Sequence, residues 1–237
     1  MYCETYGEGE PLVFIHGNGG SIKHFVNQIP YFSKKYKVIV ADSRSQGKSV
    51  DKGDTLTYEM MADDFAALLD AMKIDSALVV GWSDGGINGL LLASRHPEKV
   101  KKLVSTGANL WPDTTAIFAE LIKMIEPIYT SLKNTPDKSD SVKTQMKLMR
   151  LMLEEPHIPL AILTAIKCPT LIVGGDHDVI KEEHTMLIYK NIPKAYLWIL
   201  PNSGHSTLIS YKNEFNKTVD DFFSKPYREI AGEGRLN

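Results

Sequence analysis

Short, β-branched apolar runs alternate along most of the chain with longer mixed patterns, and the two periods predict different elements. The runs PLVFIHG (11–17), YKVIVAD (36–42), SALVVGW (76–82), VKKLVSTG (100–107), PTLIVGG (169–175) and AYLWILP (195–201) read as buried strands, with residues 2–6 as an antiparallel edge strand. In residues 57–73, Met61, Phe65, Leu68 and Met72 fall at i, i+4, i+7 and i+11, one apolar stripe of a helix that covers a sheet. Residues 86–96 are apolar nearly all round, which predicts a helix buried against the sheet centre. His96-Pro97 ends it, because the residue before proline avoids the α region. Residues 207–223 read as a last helix and 225–237 as a loose tail. This alternation predicts an α/β fold, a mostly parallel central sheet with helices on both faces.

One stretch breaks the alternation. From 110 to 165 no strand pattern occurs, and two helical patterns follow one another: Ile117, Leu121, Met124, Ile125, Ile128 and Leu132, then Val142, Met146, Met149 and Leu153. The polar, turn-rich KNTPDKSD joins them. The expected organisation is a core of residues 1–109 and 166–237 with a helical lid, 110–165, over the C-terminal strand ends, where open α/β sheets bind ligands. Met146, Met149, Met152, Trp111 and Phe118 then form lid core, with Trp111 and Phe118 also expected to line an apolar substrate pocket.

Composition narrows the class without changing it. With 237 residues, 43% hydrophobic and 24% charged, and a net charge of -2, the chain reads neither as disordered nor as a basic nucleic-acid binder. No segment approaches the roughly 18 consecutive apolar residues of a membrane span. The first residues, MYCETYGEGE, lack the basic and apolar regions of a signal peptide, so a cytoplasmic location is expected. Cys3 and Cys168 are too few for a disulfide scaffold and lack zinc-type spacing. Lys99, Lys101 and Lys102 read as a solvated face. Oligomeric state is not legible.

The chemistry concentrates after strands. Gly81-Trp82-Ser83-Asp84-Gly85 fits G-x-S-x-G, between a strand and a helix as that motif requires. Crowding excludes a Cβ at the flanking positions, and the serine is held at the apex with its hydroxyl above the sheet. A serine hydroxyl needs a base within hydrogen-bond reach and a third group that orients the base. Asp176-His177-Asp178 follows the strand at 169–175, and Asn202-Ser203-Gly204-His205 follows the strand at 195–201. Serine, acid and histidine therefore lie on one sheet edge, with Asp176 and Asp178 both available as the acid. Two backbone donors for an oxyanion are expected from the amide of Asp84 and from the loop His16-Gly17-Asn18-Gly19-Gly20, at Asn18. His16 reads as structural. His177 and His184, near Asp176 and Asp178, match no metal-ligand motif, and no metal or other cofactor is expected.

The HGNGG loop, Asp42-Ser43-Arg44-Ser45-Gln46-Gly47-Lys48-Ser49, the GWSDGG elbow, GGDHD and the SGH segment, in this order, together resemble the α/β-hydrolase fold superfamily. The resemblance spans residues 2–223. It implies a triad of Ser83, His205 and Asp178, since the family acid stands three positions after a glycine, here Gly175. The chain departs from the family in having serine at Ser45, often glycine, and in lacking one N-terminal strand. The implied function is hydrolysis of a small carboxylic ester, thioester, lactone or aminoacyl ester through an acyl-enzyme. Members that cleave carbon–carbon bonds of diketones, and non-catalytic binding modules or receptors, share the fold. Asp84 is the unusual residue, because a carboxylate beside an oxyanion site opposes the developing charge. A substrate amine would compensate it, and the elbow resembles that of members acting on amino-acid esters.

Overall fold

The computed structural model describes residues 1–137 and 139–230. Seven strands, β1 (Cys3–Tyr6), β2 (Glu10–Ile15), β3 (Tyr36–Ala41), β4 (Ala77–Trp82), β5 (Val100–Thr106), β6 (Thr170–Gly175) and β7 (Ala195–Leu200), form one sheet in the order β1-β3-β2-β4-β5-β6-β7. Only β1 runs antiparallel, against β3; every other neighbouring pair is parallel. All six apolar runs thus form strands within a residue or two of their expected limits, and residues 3–6 supply the antiparallel edge. The parallel arrangement brings the C-terminal ends of β2, β4, β6 and β7 to one edge.

Successive residues of a strand point to opposite faces, and both faces are apolar here. Val13, Ile15, Val79, Leu103 and Ile172 join one core with Met61, Phe65 and Leu69 of α2 (Tyr58–Ala71) and Leu90 and Leu91 of α3 (Asp84–Arg95). Leu12, Phe14, Val80, Val104 and Val173 join the other with Phe32 of the short α1 (Ile29–Phe32) and Phe215, Val219 and Phe223 near the C-terminus.

Between β5 and β6 lie α4 (Ala119–Asn134), α5 (Asp140–Glu154) and α6 (Leu160–Leu163), and between β6 and β7 lies α7 (Glu182–Asn191). Residues 207–223 are not one helix but two, α8 (Thr207–Ser210) and α9 (Lys212–Ser224), divided at Tyr211, whose hydroxyl donates to the Asn202 carbonyl at 2.7 Å. Residues 225–230 carry no regular structure, and the rest of the expected tail, 231–237, lies outside the described residues. No described helix is long and apolar enough to cross a membrane.

The apolar stripes of α4 and α5 need correction. In α4 only Ile125 is buried, while Met124 is 61% exposed. In α5 the buried positions are Lys147, Leu148 and Leu151, whereas Val142, Met146, Met149 and Leu153 are half-buried. A pattern search counts lysine as polar, but the Lys147 ammonium is neutralised by Asp51, its Nζ lying 2.9 Å from Oδ2 and donating to the Gly53 carbonyl at 2.7 Å. A buried charge is tolerated when paired in this way.

Lys102 is likewise not a solvated lysine. Its Nζ donates to the carbonyls of Phe222 (3.0 Å), Phe223 (2.8 Å) and Lys225 (2.5 Å), capping the C-terminal end of α9, where unpaired carbonyls and the helix dipole favour a cation. Lys102→Met is expected to cost about 1–2 kcal/mol, read as a lower urea midpoint at unchanged slope; an unchanged midpoint would remove the cap from this account.

Candidate active site

The site begins at the turn from β4 into α3. Ser83 has φ 58° and ψ -121°, a conformation non-glycine residues rarely adopt. The positions two residues to either side, Gly81 and Gly85, must lack side chains. A Cβ on Gly85 would stand 1.9 Å from the Ile15 carbonyl oxygen, and one on Gly81 would stand 2.0 Å from that of Gly85. Although Ser83 occupies the N-cap position, its side chain makes no capping bond. Its Oγ instead lies 2.9 Å from Nε2 of His205, and Nδ1 of the same ring lies 2.6 Å from Oδ1 of Asp178.

Each partner has its own support. Asp178, with a side chain 1% exposed, also accepts from the Ile180 amide at 3.2 Å. Asp176 takes a different role. Its two oxygens accept from the amides of Asn202 and Ser203, both at 2.9 Å, clamping the loop that carries His205. Those backbone donors hold its carboxyl below the usual carboxylate range. Trp82 fixes the loop from the other side, its Nε1 donating to the His205 carbonyl at 2.9 Å. Gly107, at φ +62°, leaves room for the imidazole, since a Cβ there would stand 2.8 Å from its Cε1.

Asn18 and Asp84 are joined by a hydrogen bond. Asn18 Nδ2 donates to Asp84 Oδ2 at 2.9 Å and to the Leu148 carbonyl of α5 at 3.2 Å. Asp84 is 5% exposed and also accepts from the buried Tyr58 hydroxyl. Burial pushes its carboxyl up to about 6, against the opposing pull of the Asn18 and Tyr58 hydrogen bonds. The backbone of Asp84 is the first in α3, where an amide has no partner inside its own helix. Gly17 brings the 16–20 loop onto the elbow, a Cβ there standing 2.9 Å from the Ser83 Cβ. His16 is occupied at both nitrogens, Nδ1 lying 2.8 Å from the Gly17 carbonyl and Nε2 accepting from the Ser43 amide at 2.9 Å.

Trp111 and Phe118 have other neighbours. The Trp111 ring lies edge-on to His184 with centroids 5.0 Å apart, and Phe118 is 40% exposed beneath Lys181. His184 Nε2 accepts from the Leu110 amide at 2.9 Å, and burial pushes its imidazole down to about 4. His177 lies with Nδ1 2.8 Å from the Asp176 carbonyl. Among the described residues no group of three or more His, Cys, Asp or Glu side chains is placed to hold a metal ion. Tyr58 and Trp82 are not singled out by the sequence, whereas a turn-stabilising role for whichever of Asp176 and Asp178 is not the acid is expected, and Asp176 holds the 202–203 backbone. Only the position of Trp82 inside G-x-S-x-G carried a signal.

Residues 10–135 match the family model of the alpha/beta hydrolase fold. The chain is 28% identical to the serine hydrolase BPHL of Mus musculus over 94% of its own length and 82% of that protein. It is 27% identical to the 2-hydroxymuconate semialdehyde hydrolase of Pseudomonas sp. (strain CF600), over 92% and 88% of the two chains. The structure of a thermophilic esterase from Thermogutta terrifontis superposes with a TM-score of 0.80 at 20% identity, covering 96% of this chain and 94% of that one. Strand order, the strained turn after β4 and the family match lead to one conclusion: the chain belongs to the α/β-hydrolase fold family of enzymes.

Proposed function

We propose that this hydrolase is a serine esterase that cleaves small carboxylic esters through an acyl-enzyme on Ser83. The carrying observation is the unbroken hydrogen-bonded line from Ser83 Oγ through the His205 imidazole to Asp178 Oδ1. With its proton on Nδ1, His205 offers the Nε2 lone pair to the serine hydroxyl. Ser83 Oγ attacks the ester carbonyl carbon as its proton passes to Nε2, and Asp178 holds the imidazolium that forms. The amides of Asn18 and Asp84 receive the oxyanion. As the tetrahedral intermediate collapses, the ester carbon–oxygen bond breaks and Nε2 returns its proton to the leaving alcohol. Water then attacks the acyl-enzyme with the same histidine as base, freeing the acid and Ser83. Thioesters, lactones and aminoacyl esters suit the same steps. Helices α4 and α5 act as a lid over the site.

A nitrophenyl ester panel of varied acyl length, run beside a diketone, tests this reading. Saturable ester turnover is expected, and diketone cleavage without ester turnover would replace it with carbon–carbon hydrolysis, the chemistry suggested by the semialdehyde hydrolase relative.

A narrower substrate preference rests on Asp84. Its buried carboxylate has two neutral hydrogen-bond donors and no salt bridge among the described residues, so the cost of burying its charge is only partly offset and a cation beside it would be stabilising. An α-amino group on the acyl part of the ester supplies that cation. Below pH about 6 the carboxyl is neutral, so the preference for an α-amino ester over its des-amino counterpart is expected to grow as pH rises through about 6 and to vanish in Asp84→Asn. The folding sign is opposite. A carboxyl raised in the folded state loses stability as pH climbs from its unfolded value near 4 toward about 6, so Asp84→Asn is expected to exceed wild-type stability at pH 8 by as much as about 3 kcal/mol, and not at pH 4. A mutant with unchanged preference and an unchanged stability profile would contradict both halves.

A further inference from the structure

The Asn18 carboxamide has two N–H groups, and the structure uses each for a different element. One goes to Asp84 at the head of α3, 2.9 Å away, and the other to the Leu148 carbonyl in the middle of α5, 3.2 Å away. The loop that carries Asn18 is packed at His16, Gly17 and Gly20 but open at its tip. Gly17 presses against Ser83, whereas a Cβ on Gly19, at φ +63°, would meet nothing within 4 Å. At that tip the Asn18 side chain tethers the loop. The turn of α5 that it reaches is itself held to the core. Leu148 and Leu151 are 7% and 1% exposed, and neighbouring Lys147 binds Asp51 and the Gly53 carbonyl.

We infer that the Asn18 side chain is a positioning residue that makes the oxyanion site depend on the docking of α5, so that lid position is read in turnover. The inference rests on the proposed role of the Asn18 backbone amide, which the side chain holds in place through one rigid residue. Small displacements of a donor from the oxyanion weaken transition-state stabilisation steeply and leave ground-state binding nearly untouched. Acyl groups long enough to lift α5 would break the bond to Leu148 and be penalised in kcat more than in KM. The lid would thereby set acyl size without any residue blocking the pocket.

A double-mutant cycle tests this with a short, uncharged ester at pH 8. Asn18→Ala keeps the backbone amide and is expected to lower kcat about 10- to 100-fold with KM within about twofold. Lys147→Met loosens α5 without touching the loop and is expected to lower kcat several-fold. The double variant should be no slower than Asn18→Ala alone, because the lid then has nothing left to report to. Asn18→Leu, which keeps the volume but has no donor, repeats the cycle should the alanine variant misfold. Multiplicative losses, or an unchanged kcat in both Asn18 variants, would overturn the inference. Absence of ester turnover in the wild-type protein would instead overturn the esterase reading beneath it.

Discussion

Replacing Ser83 with alanine is expected to remove ester turnover, lowering kcat by about 10⁶-fold while KM for a neutral ester stays within about threefold. The size follows from the geometry. His205 Nε2 has Ser83 Oγ as its hydrogen-bond partner, 2.9 Å away, so without that oxygen the base has no nucleophile to deprotonate except water. The proposed oxyanion donors, the backbone amides of Asn18 and Asp84, survive the substitution, so a residual rate above the uncatalysed reaction is expected. The fold should persist, because the side chain makes no capping bond and the turn is imposed by the close approaches at Gly81 and Gly85. Steady-state kinetics beside circular dichroism decide the matter: a folded Ser83→Ala protein that keeps a hundredth of wild-type kcat would contradict the assignment.

The second large effect separates two aspartates two residues apart. Asp178→Asn is expected to lower kcat by about 10⁴-fold, because an amide N–H turned toward Nδ1 drives the imidazole proton to Nε2, where it faces Ser83 and the base is lost. Asp178 Oδ1 is the atom at stake, 2.6 Å from Nδ1. Asp176→Asn should cost less than about tenfold, since its carboxylate accepts from the amides of Asn202 and Ser203 and acts by holding the loop. Parallel kcat measurements on the two variants, with the pH profile of each, supply the check. Equal losses would mean that loop position rather than proton placement dominates at both residues.

What was legible beforehand follows from how far each signal reaches along the chain. The strands are continuous apolar runs and the elbow is five consecutive residues, so both could be read locally. Parallel topology then required Ser83, Asp178 and His205 to converge, although Ser83 and His205 are 122 positions apart. The choice of Asp178 over Asp176 came from the family pattern, and the geometry gives the two side chains different partners. Contacts that join polar residues across distant elements left no periodic trace. Asn18 reaches Asp84 over 66 positions and Leu148 over 130, and Lys147 reaches Asp51 over 96. Lysine looks solvent-facing in any pattern, so the burial of Lys147 and the capping by Lys102 were hidden for one reason: a partner's charge or carbonyl, supplied from elsewhere, reverses the usual preference. Helix α7 was missed similarly, since two of its three buried side chains, His184 and Thr185, are polar. Tyr58 falls inside the helix expected over 57–73, and nothing in that pattern signals that its hydroxyl meets Asp84.

The account stands on Ser83 being the group that carries the acyl intermediate. Treating the folded protein with a fluorophosphonate probe and mapping the adduct by mass spectrometry tests that most directly. One phosphonyl group per chain is predicted, on the peptide that contains Ser83, and prior denaturation should abolish it because the hydroxyl is then an ordinary serine with no base beside it. An unlabelled Ser83 in folded protein that still hydrolyses esters, or an adduct on any other residue, would contradict the account.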